Sequence, residues 1–179
     1  MTETHPFGIY APANARYLVL GSFVGKEALQ DSGHADASYD WFYGTRRNQF
    51  WPILEEVYGI PLRDKPAKQQ LFSGLGMAIA DIIHQCERTD GNNLDSNLVN
   101  KIYNHDIFRK IPAGQLKEIF FTSRFVEKEF KLHFKEIIER HPRIRLRTLP
   151  SPSPRYARKS RQEKINEYRK MLPKLTSSR

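Results

Sequence analysis

The sequence predicts an α/β fold, a parallel sheet covered by helices on both faces. Three short apolar segments, at 16–21, 76–83 and 118–122, and one alternating segment at 143–149 read as strands. Helical patterns fill much of the chain between them, and strands that alternate with helices assemble into a sheet packed on both sides. A third observation bears on function. Unusual segments stand at the carboxyl ends of these strands: GSFVG after the first, Asp81 near the end of the second, and PSPSP after the fourth. Ligands of open α/β sheets bind at that edge.

The elements follow in order. Residues 16–21 (RYLVLG) are an apolar run closed by glycine, and 21–25 (GSFVG) form the loop that leaves it. With Lys26 and Glu27 this loop has a distant likeness to a phosphate-binding loop, but it is one residue short, and Glu27 stands where Ser or Thr would hold magnesium. Residues 26–45 mix Gly, Asp, Ser and aromatics without period and read as a long loop. A helix is expected over 48–58, with an apolar stripe of Phe50, Leu54, Val57 and Tyr58 and a stop at Gly59. A second short helix is expected over 66–73. A strand follows at 76–83, then a polar loop at 87–95 and helical pieces at 96–103 and 105–111. After the strand at 118–122, one amphipathic helix is expected over 125–140. The alternating RIRLRTL at 143–149 is the fourth strand, and a basic helix spans about 158–172. No repeat or second domain is visible, so residues 1–179 are expected to form one domain.

Composition narrows the class. At 39% hydrophobic and 27% charged the chain reads as globular, and no apolar run reaches the ~20 residues of a membrane span. The first residues lack the pattern of a signal peptide. A lone Cys86 cannot form an internal disulfide, which fits a reducing cytoplasm. The net charge is +9, and residues 155–179 carry nine Lys/Arg against two Asp/Glu. Such a field captures polyanions; it also suits a merely solvated helix face.

Three constellations carry chemistry. The first is 41–51 (WFYGTRRNQFW), where aromatics suited to stacking on bases stand beside Arg46 and Arg47, suited to phosphates. Phe50 and Trp51 read as core, whereas Trp41, Phe42 and Tyr43 precede the helix and can offer one ring to a ligand. Asn48 is either a helix cap or a functional amide. The second is 149–158 (LPSPSPRYAR). Alternating prolines stiffen it, Ser151 and Ser153 can donate to phosphate, and Arg155, Tyr156 and Arg158 follow. It is either a DNA-backbone loop or a rigid turn. The third is Asp81, either a carboxylate serving a ligand or a cap on the next turn. The six histidines are scattered, and none makes a zinc spacing with Cys86. No nucleophile elbow is present, so a serine hydrolase is not expected.

Together these pieces resemble the uracil-DNA glycosylase superfamily, nearest to its mismatch-specific and hypoxanthine-DNA glycosylase branch. The likeness runs through nearly the whole chain. GSFVG resembles the superfamily's first motif and YGTRRNQFW its aromatic–x–His-Pro-x-Asn-x-Phe-Trp segment. DIIHQCERTDGNNLDS resembles the middle region of the hypoxanthine branch, and LPSPSP the second, DNA-facing motif.

The resemblance implies a three-layer α/β/α sandwich around a four-stranded parallel sheet, with DNA across its carboxyl edge. It implies a monofunctional enzyme that flips a deaminated base, uracil or hypoxanthine, and hydrolyses its N-glycosidic bond without metal or other cofactor. A monomer is expected. Gly21 and Ser22 would offer backbone groups to base and water. Phe23 takes the place where many relatives carry the Asp or Asn that orients the water. Asn48 matches the functional amide of the hypoxanthine branch, Tyr43 the aromatic that stacks on the base, and Asp81 joins the base-binding set. Ser151 matches a position that is His or Asn elsewhere, in the catalytic set. Ser153 would hold phosphate, and Arg155 and Tyr156 match the wedge that fills the vacated stack. Thr45 and Arg46 replace the family's His-Pro, and Val24 its first-loop proline. Phe23 and Ser151 also motivate the competing expectation, a non-catalytic nucleic-acid binder on the same fold. A hydrolase of free nucleosides would have no use for so much positive charge.

Overall fold

A computed structural model describes residues 1–26 and 40–175. Most of the long loop expected over 26–45 lies outside the described residues. The chain runs β1 (Thr2–Thr4), β2 (Ile9–Tyr10), β3 (Tyr17–Gly21), α1 (Phe50–Tyr58), α2 (Lys65–Leu75), β4 (Met77–Asp81), β5 (Ile83–Arg88), β6 (Leu98–Tyr103), α3 (Ile107–Lys110), β7 (Glu118–Phe121), α4 (Arg124–His133), α5 (Lys135–Arg140), β8 (Arg145–Thr148) and α6 (Arg161–Met171).

The central sheet has the order β2-β4-β3-β7-β8. It corrects the expected four-stranded parallel sheet: β3, β4, β7 and β8 are parallel, but β2 adds an antiparallel fifth strand at the edge, so the sheet is mixed. Two residues, Ile9 and Tyr10, are too few to leave a periodic signal in the sequence. Alternate side chains of the parallel strands enter two separate cores. Val19, Met77, Ile79 and Phe120 pack with α1, α2 and α6; Leu18, Leu20, Ala78, Ala80, Ile119 and Phe121 pack with Val126, Phe130 and Phe134 on the other face. Burial on both faces is why β3, β4 and β7 read as unbroken apolar runs.

A second sheet, β1-β5-β6, is antiparallel. It corrects the helical piece expected over 96–103 and part of the loop expected over 87–95. LVNKIY pairs with β5 through two register shifts, and Asn100 sits at φ 49° between paired residues Val99 and Ile102. Such bulges break strand alternation, so period alone misreads the segment. The helix expected over 125–140 is also divided. Phe134, at φ −125° and ψ 33°, leaves helical geometry to stack on Phe130 in the core, with rings 5.2 Å apart. The other helices stand close to expectation. Asp64 caps α2 by accepting the Ala67 N–H, and Ser160 and Glu163 form a reciprocal capping box on α6.

A candidate nucleic-acid cleft at the carboxyl edge of the sheet

The four parallel strands end on one side, and the segments that follow them meet there. Ser22–Gly25 leaves β3, Asp81 closes β4, Thr122–Arg124 leaves β7, and Leu149–Pro154 leaves β8. With the 43–48 segment they line a cleft of ≈ 1050 Å³. Of the residues singled out from sequence, Ser22, Phe23, Tyr43, Arg46, Arg47, Asn48, Asp81, Ser151, Ser153, Arg155, Tyr156 and Arg158 all line it. Gly21 lies just beneath: a Cβ there would collide with the Asp81 carboxylate and the Tyr43 hydroxyl. A glycine is required by that close approach.

Asn48 lines the cleft one residue ahead of Gln49, the N-cap of α1, whose own side chain makes no capping bond. Asn48 Oδ1 accepts the Phe50 N–H at 2.9 Å, which satisfies a donor at the start of α1. An amide oxygen has a second lone pair and the Nδ2 has two hydrogens, so this bond leaves hydrogen-bonding capacity at the cleft wall. The aromatics divide. Trp41 and Phe42 are buried, Trp41 stacks on Trp51 at 5.6 Å, and Trp51 Nε1 donates to Phe42 O at 2.7 Å. Tyr43 is the partly exposed one. It holds a left-handed φ of 56°, packs its ring 4.3 Å from Phe50, and donates from its hydroxyl to Thr122 Oγ1 at 3.2 Å. Burial, reinforced by the charge of Asp81, pushes the phenol well above its ordinary pKa, so it stays a neutral donor.

The backbone carbonyls of Gly21 and Ser22 accept the N–H groups of Ile82 and Ile83 at 2.9 and 3.1 Å. The Ser22 hydroxyl pairs with Asp95, whose carboxyl is pushed up by burial. Phe23 is packed rather than presented alone: its ring stands edge-on to His5 at 5.6 Å, with the Arg88 guanidinium 5.6 Å from its centroid. Arg88 also donates to Val24 O at 2.5 Å and to Glu3 at 2.7 Å, which ties this loop to the second sheet.

The proline loop is held from both sides. Gln49 N donates to Pro152 O at 2.9 Å and Tyr168 Oη to Pro150 O at 2.9 Å. The buried Lys164 Nζ donates to Gln49 Oε1 at 3.0 Å and to Ser153 O at 3.2 Å. Ser151 Oγ accepts the Ser153 N–H, and Ser153 Oγ the Arg155 N–H, both at 3.3 Å. The hydroxyl hydrogens of both serines stay available for an anion. The loop is therefore a rigid turn and also a wall of the cleft. On the rim, Arg46, Arg47, Arg124, Arg155 and Arg158 are exposed and make no ion pair among the described residues.

Several lining residues had escaped the sequence reading. Thr122, Ser123 and Arg124 follow a strand end, and the rule for ligand sites would have pointed to them. His5 does not line the cleft but braces a residue that does, and nothing in the sequence marks it. Its Nε2 lies 2.8 Å from Asp81 Oδ2, across 76 residues of chain. Among the described residues no cluster of three His, Cys, Asp or Glu side chains can hold a metal, and no helix is long and apolar enough to cross a membrane.

Comparison with known proteins places the architecture. No protein-family profile and no curated protein matches the chain. Among solved structures, it resembles the solution NMR structure of a protein from Methanosarcina acetivorans described provisionally as a uracil DNA glycosylase, at a TM-score of 0.66 and 21% identity, over 95% of this chain and 98% of that one. The two proteins share an α/β fold.

Proposed function

We propose that this chain is a monofunctional DNA glycosylase that hydrolyses the N-glycosidic bond of a flipped, deaminated base, uracil or hypoxanthine, in base-excision repair. The observation that carries the reading is the cleft itself. One concavity joins Asn48, Tyr43 and the Ser151 loop beneath a rim of arginines unpaired among the described residues. The fold shared with the archaeal protein supports the same reading.

In this mechanism the arginines and the Ser151 and Ser153 hydroxyls hold phosphates on either side of the extruded nucleotide. Tyr156 and Arg155 fill the vacated stack. The base enters the cleft and stacks on Tyr43. Bond cleavage leaves positive charge on the sugar and negative charge on the departing base, and the proton that water loses on adding to the sugar goes to that base anion. Asn48 holds the water for attack at the sugar carbon: its Oδ1, already turned by the Phe50 N–H, accepts a water hydrogen through its second lone pair. Phe23 supplies apolar wall where other enzymes place an acid, so the amide carries the water alone. The protein acts as a cytoplasmic monomer, with no metal or redox cofactor in the mechanism.

The test is release of free base from duplexes carrying one uracil or one hypoxanthine. Wild type releases base, and Asn48→Ala loses at least ~100-fold in rate while still binding DNA in a salt-dependent manner. DNA binding without release of either base from the wild-type protein would instead establish the non-catalytic binder that Phe23 and Ser151 suggest.

A further inference from the structure

We infer that the cleft also takes a purine whose ring carries a fixed positive charge from N-alkylation, such as 7-methylguanine, and hydrolyses its N-glycosidic bond. The residue that adds this substrate class is Asp95. The inference goes beyond the deaminated-base reading, and either one can fail without the other.

Asp95 reaches the cleft from the second sheet, where it opens a single turn ahead of β6. The connector that carries it is braced. Asn92 Oδ1 accepts the Leu94 N–H at 2.9 Å and Asn97 Nδ2 at 2.8 Å, and Thr89 N donates to Asn97 O at 3.0 Å. The Asp95 carboxylate accepts the Ser22 hydroxyl. Burial and the charge of Asp81 both oppose its ionisation, so the two carboxylates act on one another.

Two acids make a cation site only if their charge is not already neutralised. Asp81 is 4% exposed, and its Oδ1 alone has no partner among the buried side-chain polar atoms of the described residues. Its Oδ2 accepts from His5 Nε2 at 2.8 Å. His5 Nδ1 accepts the Phe7 N–H at 3.3 Å, so the imidazole is neutral and cancels no charge. The two cations that act on Asp95 have acids of their own: Arg88 pairs with Glu3 at 2.7 Å and Lys101 with Glu129 at 3.0 Å. The inner cleft therefore holds two negative charges beneath a positive rim. Phe7, Phe23 and Tyr43 line the same space, and aromatic faces attract cations. The Phe23 ring already carries one, the Arg88 guanidinium.

Charge decides which base such a site favours. A deaminated base is neutral, and its cleavage separates two charges of which the carboxylates help one and oppose the other. An N-alkylated purine brings one positive charge, which stays in the cleft until water adds. When the C1′–N bond breaks, its electron pair neutralises the ring, the positive charge passes to the sugar, and the base leaves as a neutral molecule. Water then forms the C1′–O bond and its proton goes to solvent. The carboxylates stabilise the cation at each stage before water adds.

The experiment compares single-turnover release of 7-methylguanine and hypoxanthine from matched duplexes, with spontaneous loss subtracted. Wild type releases 7-methylguanine above the spontaneous rate. Asp95→Asn, which keeps an oxygen for the Ser22 hydroxyl and removes the charge, lowers the ratio of 7-methylguanine to hypoxanthine release by about tenfold or more. Release of 7-methylguanine at only the spontaneous rate overturns the inference, and so does an unchanged ratio in the variant. A second measurement needs no variant: anisotropy titration of duplexes that carry 7-methylguanine or its neutral isostere 7-methyl-7-deazaguanine. Tighter binding of the charged base supports the site, and equal binding overturns it. If wild type releases 7-methylguanine and no deaminated base, the deaminated-base reading falls and this one stands; release of hypoxanthine alone gives the reverse.

Discussion

Lys164 offers a quantitative test of how the proline loop is held. It is 1% exposed, and its Nζ donates to Gln49 Oε1 at 3.0 Å and Ser153 O at 3.2 Å while lying 5.4 Å from the centroid of Tyr156. Burial lowers its pKa, the sign of a charge held out of water. Hydrogen bonds from a charged donor are worth roughly 1.5–3 kcal/mol each, partly offset by that desolvation. Truncation to alanine also empties the space of the aliphatic stem. We expect Lys164→Ala to lose about 3 kcal/mol, and Lys164→Met, which keeps the stem, about half of that. At ~2–4 °C per kcal/mol for a chain of this size, the alanine variant melts about 10 °C lower. Scanning calorimetry reads the stability, and fluorescence anisotropy at fixed salt reads binding to a DNA duplex. Both variants should bind more weakly, because Ser153 and Tyr156 lose their common anchor. An alanine variant that melts within ~2 °C of wild type would refute the view that this buried cation pins the loop.

Two further outcomes follow from the same structure. Gly21→Ala forces a Cβ against Asp81 and Tyr43, both packed in place, so a destabilisation of about 2 kcal/mol or more is expected in urea unfolding, with loss of base release. The tyrosines set the alkaline limit. Burial raises the pKa of Tyr43, Tyr58 and Tyr168 in the folded state. Their contribution is fully present below the unfolded value of about 10 and falls as pH rises beyond it, because the unfolded phenols release protons first. Melting temperature should therefore decline above about pH 10, and Tyr58→Phe, whose hydroxyl donates only to Pro173 O, should make the decline shallower.

Much of the layout could be read from the chain alone. The apolar runs that became β3, β4 and β7 are buried on both faces, so composition sufficed to mark them, whereas β8, with Arg145 exposed and the rest partly buried, was marked by alternation. Strand ends then located the cleft, since loops at the carboxyl edge of a parallel sheet are where ligands bind. Asp81 and the proline loop are marked by those strand ends, whereas Tyr43 and Asn48 are marked by the aromatic and arginine-bearing segment 41–51 and by the family resemblance. Local geometry does not force a choice between the alternatives: Asn48 holds the Phe50 N–H and lines the cleft, and the proline loop is a braced turn that forms one wall.

Tertiary structure decided what depends on distant partners. β6 is a strand because β5 pairs with it through bulges, against a local pattern that read as helix. Phe134 interrupts a helix to complete a core. β2 becomes a sheet edge through two residues that pair with Ile79 and Ala80. Above all, His5 meets Asp81 across 76 residues of chain and satisfies its Oδ2, while Oδ1 is left without a partner. Periodicity and composition register which face of an element is apolar. They hold no information on which polar atom, many residues away, meets which other, because that is fixed only when the sheet closes and the cores pack around it.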